Sequence, residues 1–309
     1  MKILAIYLII AGHCLVPGYK YVYVFSVPAF FIMSGFLSKK EVSFGILLDK
    51  MWWNLIVPMI FLFFIHVCYE SVFRLIQGEF DVIYVGKRFV GALIGMQKPG
   101  LGVLWFIYTL IICKIILQIL PSTYERKWLI ACSALMVAIC YVLNRYGLIM
   151  PNSIINTLLA MPFFVIGYFL KPYKQLLTKC RLRYMPLLLL LGTLGILICG
   201  NYNDYVYLYK CTYGSSLLLC FLGGMAGTAL LYALSRLLEG YLTSLVRVVG
   251  GGMILILGLH GSLMSILSLF YDFQGLIKYL EPVLIILIMV PVIIFVKKYV
   301  PVLYGYKRL

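Results

Sequence analysis

Acidic side chains are scarce in this chain of 309 residues. The ten carboxylates are Glu41, Asp49, Glu70, Glu79, Asp81, Glu125, Asp204, Glu239, Asp272 and Glu281. All of them fall in connections or near the ends of apolar runs. Ion- and proton-coupled carriers commonly use buried carboxylates as relays or coordination sites, so this distribution counts against a secondary transporter. Metal-binding patterns are missing as well. None of the nine cysteines forms a C-x-x-C pair, and most lie within apolar runs, where they read as small buried residues with neither a disulfide framework nor a zinc site. Internal repeats, low-complexity tracts and a soluble domain are also lacking, which removes the half-to-half symmetry of many carriers.

What is abundant is apolar. Hydrophobic residues make up 64% and charged residues 12% of the positions, with a mean hydropathy of +1.04. A water-soluble domain could not present that composition on its surface without aggregating. The chain is expected to be an all-α, polytopic membrane bundle, because its apolar runs reach helix length of about 20 residues and show no alternating dyads of a barrel. Ten runs are read as spans: 2–16, 21–38, 53–73, 102–120, 127–143, 153–170, 184–200, 215–237, 248–270 and 280–296. Together they are expected to form one integral-membrane domain over 1–309.

The opening stretch KILAIYLIIAGHCLV has a basic residue before an apolar core, as a cleaved leader does. Gly12-His13 interrupts that core and no small-x-small site follows, so it is read as a retained span. Counting cations by side gives 17 with the two termini and eight opposite, which by the positive-inside rule puts both termini in the cytoplasm. The net charge of +16 then reads as topology and attraction to anionic headgroups of the bilayer, without nucleic-acid binding. Of the two main outer connections, 75–101 contains IYVGKRFVGALIGM and is expected to form an interfacial helix. The other, NYNDYVYLYKCTYGS at 201–215, is rich in tyrosine. Those rings are first of all interface anchors, and stacking on sugar rings is the alternative.

Few ionisable groups remain inside the apolar runs. His13 lies about 16 Å along its helix from Lys2, and His260 about 20 Å from Arg247, so both imidazoles are expected at a similar, middle-to-outer depth. An intramembrane histidine is costly and is a functional hypothesis by default, with a hydrogen bond to a neighbouring helix as the structural alternative. Lys114 sits about six residues from the end of its run and is expected to snorkel, with a phosphate contact as the minor option.

Several stretches taken together resemble the acyltransferase-3 family of membrane O-acyltransferases, which acetylate bacterial surface polysaccharides. KILAIYLIIAGH is similar to the family's opening span, a basic residue and then His after ten positions, here Lys2 and His13. VFSVPAFFIMSGFL carries Phe25, Pro28, Phe30, Phe31, Ser34 and Gly35 of a Phe-His-x-Pro-x-Phe-Phe-x-x-Ser-Gly pattern. NLIVP (Asn54 to Pro58), LWFIYTL, MPFFVIGYFLK and GGGMILILGLHG follow in family order, so the likeness covers nearly the whole chain. Three positions depart from the pattern: Lys2 stands where many relatives have Arg, Ser26 where many have a second His, and Asn54 where Arg often precedes the Leu-x-x-Pro stretch.

The resemblance implies an enzyme of a bacterial cytoplasmic membrane that moves an acetyl group from acetyl-CoA, a co-substrate, to a hydroxyl of a sugar or polysaccharide, without a metal. Such a transfer needs a base for the hydroxyl proton, and neutral imidazole titrates near the working pH. His13 is therefore expected as general base, or as a transient acyl carrier if the acetyl group must cross the membrane. Lys2, Ser34, Asn54 and Lys114 are expected on the donor side, where Lys39, Lys40 and Lys50 add positive charge. Ser34-Gly35 is first of all a close-packing position between helices, with donor binding as the lesser role. Trp105, an interface anchor first, and His260 are the acceptor-side candidates. Competing readings are a carrier of small molecules or lipid-linked sugars, and a catalytically silent scaffold of a polysaccharide assembly complex.

Overall fold

In hydrocarbon every backbone N–H and C=O must be satisfied within its own segment, so apolar runs of this length resolve into helices. The computed structural model describes residues 1–93, 104–148, 153–241 and 243–304. Lys98, Lys307, Arg308, positions 94–101 of the first outer connection and positions 102–103 of the fourth run lie outside them. In chain order the helices are α1 Lys2–His13, α2 Tyr19–Tyr23, α3 Ser26–Leu37, α4 Phe44–Met51, α5 Val57–Ile76, α6 Val82–Leu93, α7 Leu104–Ile119, α8 Glu125–Arg145, α9 Ser153–Leu170, α10 Lys174–Lys179, α11 Met185–Tyr202, α12 Leu217–Leu237, α13 Thr243–Gly251, α14 Met253–Ser268 and α15 Leu280–Tyr299. Among the described residues there is no strand. Tyr207 and Thr212 form an isolated antiparallel bridge.

Every one of the ten expected runs is helical, but they are not equal. Among the described residues seven helical stretches are long and apolar enough to cross a membrane, and an eighth is the pair α13 and α14 if it is counted as one span. Helix α1, at 12 residues, and α7, at 16, are shorter; at 1.5 Å per residue they rise about 18 and 24 Å against a hydrocarbon core of about 30 Å. The run 248–270 is not the straight span the sequence suggests, since α13 and α14 meet at 82°. Gly252 sits at that break, and a Cβ there would run into the side chain of Ile293 on α15. Helix α6 is a separate amphipathic helix pinned to α5: Tyr84 donates its hydroxyl, and Arg88 its guanidinium, to the Glu70 carboxylate.

The packing centre is the crossing of α3 and α9. A Cβ on Gly35 would overlap the carbonyl of Phe164, and one on Gly167 would overlap the carbonyl of Ile32. Each helix therefore presents a glycine to the other's backbone, the close approach that small residues permit where no hydrophobic force drives helices together. Gly224 and Gly227 of α12 receive Phe163 with Pro28, and Phe25, so α12 closes on the same pair. Phe31, Phe163 and Phe164 fill the space between, fully buried.

Candidate active site

Helix α1 ends at His13, and the chain turns sharply there. Leu15 has φ 53° and Gly18 φ 76°. The left-handed region costs a leucine roughly 1–2 kcal/mol, and strain of this kind gathers at functional sites. On the other side α14 delivers His260. The two imidazoles meet with ring centroids 5.0 Å apart and planes tilted by 46°. His260 is 3% exposed, whereas His13 is accessible. Nδ1 of His260 lies 2.8 Å from the carbonyl oxygen of Leu257 and 3.2 Å from that of Ile256. A carbonyl only accepts, so Nδ1 carries the proton, and Nε2 of the neutral ring keeps its lone pair.

The bend at Gly252 changes how His260 reaches this level. Only the seven residues from Met253 contribute to its rise along α14, about 10 Å, in place of the 20 Å expected from an unbroken helix. The common depth of the two histidines stands, and the route to it differs.

A tyrosine wall begins one residue from His13. Tyr23 donates its hydroxyl to the Gly12 carbonyl at 3.1 Å, and its ring lies 5.8 Å from Tyr19 and 5.4 Å from Tyr207. Tyr207 continues to Tyr205 at 5.6 Å and Tyr209 at 5.9 Å, and Tyr209 touches Trp105 at 6.5 Å. Trp105, half-buried, also packs on Phe31 and Phe106.

The far end of α3 is basic. Lys171 donates to the Ser38 carbonyl at 2.8 Å and Lys114 to the Ser38 hydroxyl at 3.3 Å. Lys40 reaches the Leu120 carbonyl and lies 3.4 Å from Glu125. Lys50 pairs with Glu41 at 2.6 Å, and that hydrogen bond holds the Glu41 carboxyl below the usual carboxylate range. Amines at a helix C-terminus complement its unsatisfied carbonyls and its dipole. Fifteen residues separate Tyr23 from Ser38, so the basic end lies about 22 Å along the helix from the histidine end.

The expected residues thus fall into groups. His13 and His260 are brought together. Lys114 reaches Ser38, one turn beyond Ser34, while Gly35 of the Ser-Gly pair is a packing contact. Lys2 is exposed at the opposite end of α1 from His13 and shares no atom-level site with it. Asn54 is exposed on a π-helical turn, Trp52–Ile56, between α4 and α5. Three residues escape the sequence reading. Ser38 carries nothing in its type to mark it as the point where two amines converge. Glu281, at the start of α15, is 7% exposed and lies against Cys14. Asn156 is fully buried on α9 with neither amide atom partnered. Of these, a polar residue within an apolar run was the available signal for Asn156.

A family model described as an acyltransferase domain, acyltransferase-3, matches residues 1–297. Among curated proteins, the nodulation protein NolL of Mesorhizobium japonicum is 24% identical over 226 residues, covering 69% of this chain and 56% of that protein. The chain thus spans about half the length of the curated relative it matches. No solved structure matches the chain.

Proposed function

The chain belongs to the acyltransferase-3 family and is a multi-pass membrane protein; from these premises we propose that it transfers acetyl from acetyl-CoA to a sugar hydroxyl of a bacterial surface or secreted polysaccharide. The observation that carries this reading is the pairing of exposed His13 with buried His260 at 5.0 Å, beside the strained turn at Leu15. In the proposed step the acceptor oxygen attacks the thioester carbonyl while His13 takes the hydroxyl proton. The C–S bond breaks, and the thiolate leaves as the thiol once it regains a proton from the imidazolium. His260, its Nδ1–H held by Leu257, faces His13 with one fixed tautomer and limits its orientations.

The donor enters in this account at the amine end. Phosphates of acetyl-CoA are attracted by Lys39, Lys40, Lys50, Lys114 and Lys171, of which Lys40 and Lys50 face carboxylates and the others leave a net positive charge. Both termini and this end lie in the cytoplasm, the membrane is the bacterial inner one, and residues 1–309 act as one domain. The test compares strains carrying the wild-type gene, no gene, and a carrier control, measuring both glycan amount and its O-acetyl content. The proposal requires glycan of unchanged amount without acetyl esters when the gene is deleted. Loss of the polymer itself would contradict it and favour a carrier.

A further inference from the structure

Resting on that functional reading, one surface beside the histidines says more about the acceptor. Along the connection after α11 the residues alternate: Val206 and Leu208 are each 2% exposed, while Tyr205, Tyr207 and Tyr209 turn to the opposite face. Up to Tyr207 this alternation is that of extended chain, and a single 3-10 turn, Leu208–Lys210, then keeps Leu208 inward and Tyr209 outward. Tyr19, on α2, joins the row against Tyr205 at 6.0 Å. The row is held rigidly. Asn203 donates to the Tyr213 carbonyl at 2.9 Å, and its Oδ1 accepts from the Ser216 amide at 2.9 Å. Asn144 of α8 donates to the Cys211 carbonyl at 2.9 Å, and Gly214, with φ 81°, makes the return.

Tyrosines that only anchor a protein in the interface are distributed around a bundle at helix ends. Here they are gathered on one connection, in ring contact, next to the turn that follows His13. Two amines stand over them: Lys20 lies 5.8 Å from the centre of Tyr205, and Lys210 lies 5.4 Å and 5.3 Å from those of Tyr207 and Tyr209. Among the described residues neither lysine is in an ion pair. The one carboxylate on this connection, Asp204, leaves the surface net positive.

We infer that this row of tyrosines with Lys20 and Lys210 is the acceptor subsite, and that it takes an anionic sugar, one bearing carboxylate or phosphate. The rings of tyrosine meet the C–H faces of a sugar. The amines meet its charge. The preformed connection spares the ordering cost that a mobile loop would pay on binding.

The test uses the purified protein in vesicles with acetyl-CoA as donor. The acceptor is surface glycan extracted from the host strain deleted for this gene, offered untreated, carboxyl-reduced, or stripped of phosphate with hydrofluoric acid. The expected result for wild type is a KM raised about tenfold by one of the two treatments, with kcat little changed, which is the behaviour of lost uniform binding. The double variant K20Q/K210Q should show that same KM on untreated glycan and no further rise after treatment. Tyr205→Ala should raise KM for all three glycans, and Tyr205→Phe should not. Equal KM values for the three glycans, or a lysine variant that keeps the wild-type KM, would overturn the subsite. Wild type that esterifies none of them overturns the functional reading itself, and the two failures are thereby told apart.

Discussion

His13 and His260 stand with ring centroids 5.0 Å apart, although one closes the first helix and the other sits in the fourteenth. Two groups in one site act as a unit, and losses from units are not additive. Each of His13→Ala and His260→Ala is expected to lower acetyl transfer by about 10²–10⁴. The double variant should fall little further. Rates in vesicles, normalised to the folded protein recovered, check this; losses that multiply would show the histidines acting independently.

The α3–α9 crossing makes a prediction about folding. Gly35→Ala and Gly167→Ala each drive a methyl into a carbonyl of the facing helix, a form of overpacking that costs about 1–3 kcal/mol or more. Both variants should accumulate poorly in membranes and melt at lower temperature. Gly86 in α6 has nothing within 4 Å of an added Cβ, so Gly86→Ala should accumulate as wild type does, helped by better helix propensity. A Gly35→Ala protein with the wild-type melting temperature would refute the close crossing.

Much of this arrangement is legible in the chain, and the limits have physical causes. The long helices follow from apolar runs, because hydrocarbon leaves the backbone no other way to satisfy its hydrogen bonds, although two of the ten runs give shorter helices and a third is bent. The close-packing role of Ser34-Gly35 follows from residue size. The 82° break before α14 does not show in hydropathy, since Gly250-Gly251-Gly252 is neutral to a sliding window and only the packing of Ile293 demands the glycine. Lys2 and His13 look like partners in sequence, yet one helix holds them at opposite ends. The His13–His260 contact could be suspected from matched depth alone. The convergence of Lys114 and Lys171 on Ser38 joins three elements, and no spacing along the chain encodes it.

At the basic end, half-buried Lys114 donates to a side-chain hydroxyl, that of Ser38, where Lys40 and Lys171 donate to backbone carbonyls. Lys114→Met is expected to raise the KM for acetyl-CoA several-fold with kcat little altered, and to flatten the dependence of KM on salt, because the approach of a phosphate from solvent to an amine is screened. An initial-rate series at two ionic strengths measures both. An unchanged KM would remove Lys114 from the donor side.

Glu41 gives a pH signature outside the membrane-spanning helices. Its carboxyl is held below the usual range by Lys50, so its contribution to stability is complete above the ordinary carboxylate range. It is lost as pH falls through the lowered folded value. Glu41→Gln should melt below wild type near neutral pH, and the gap should start to narrow below the ordinary glutamate value of about 4 and close only once pH has fallen through the lowered folded value. A gap that is the same at both pH values would mean the ion pair carries none of it.

The most direct test of the account is the O-acetyl content of surface glycan from cells expressing His13→Ala at wild-type membrane levels. The account predicts glycan in normal amount with its acetyl esters reduced to the level of the deletion strain. Full acetylation by His13→Ala would contradict it.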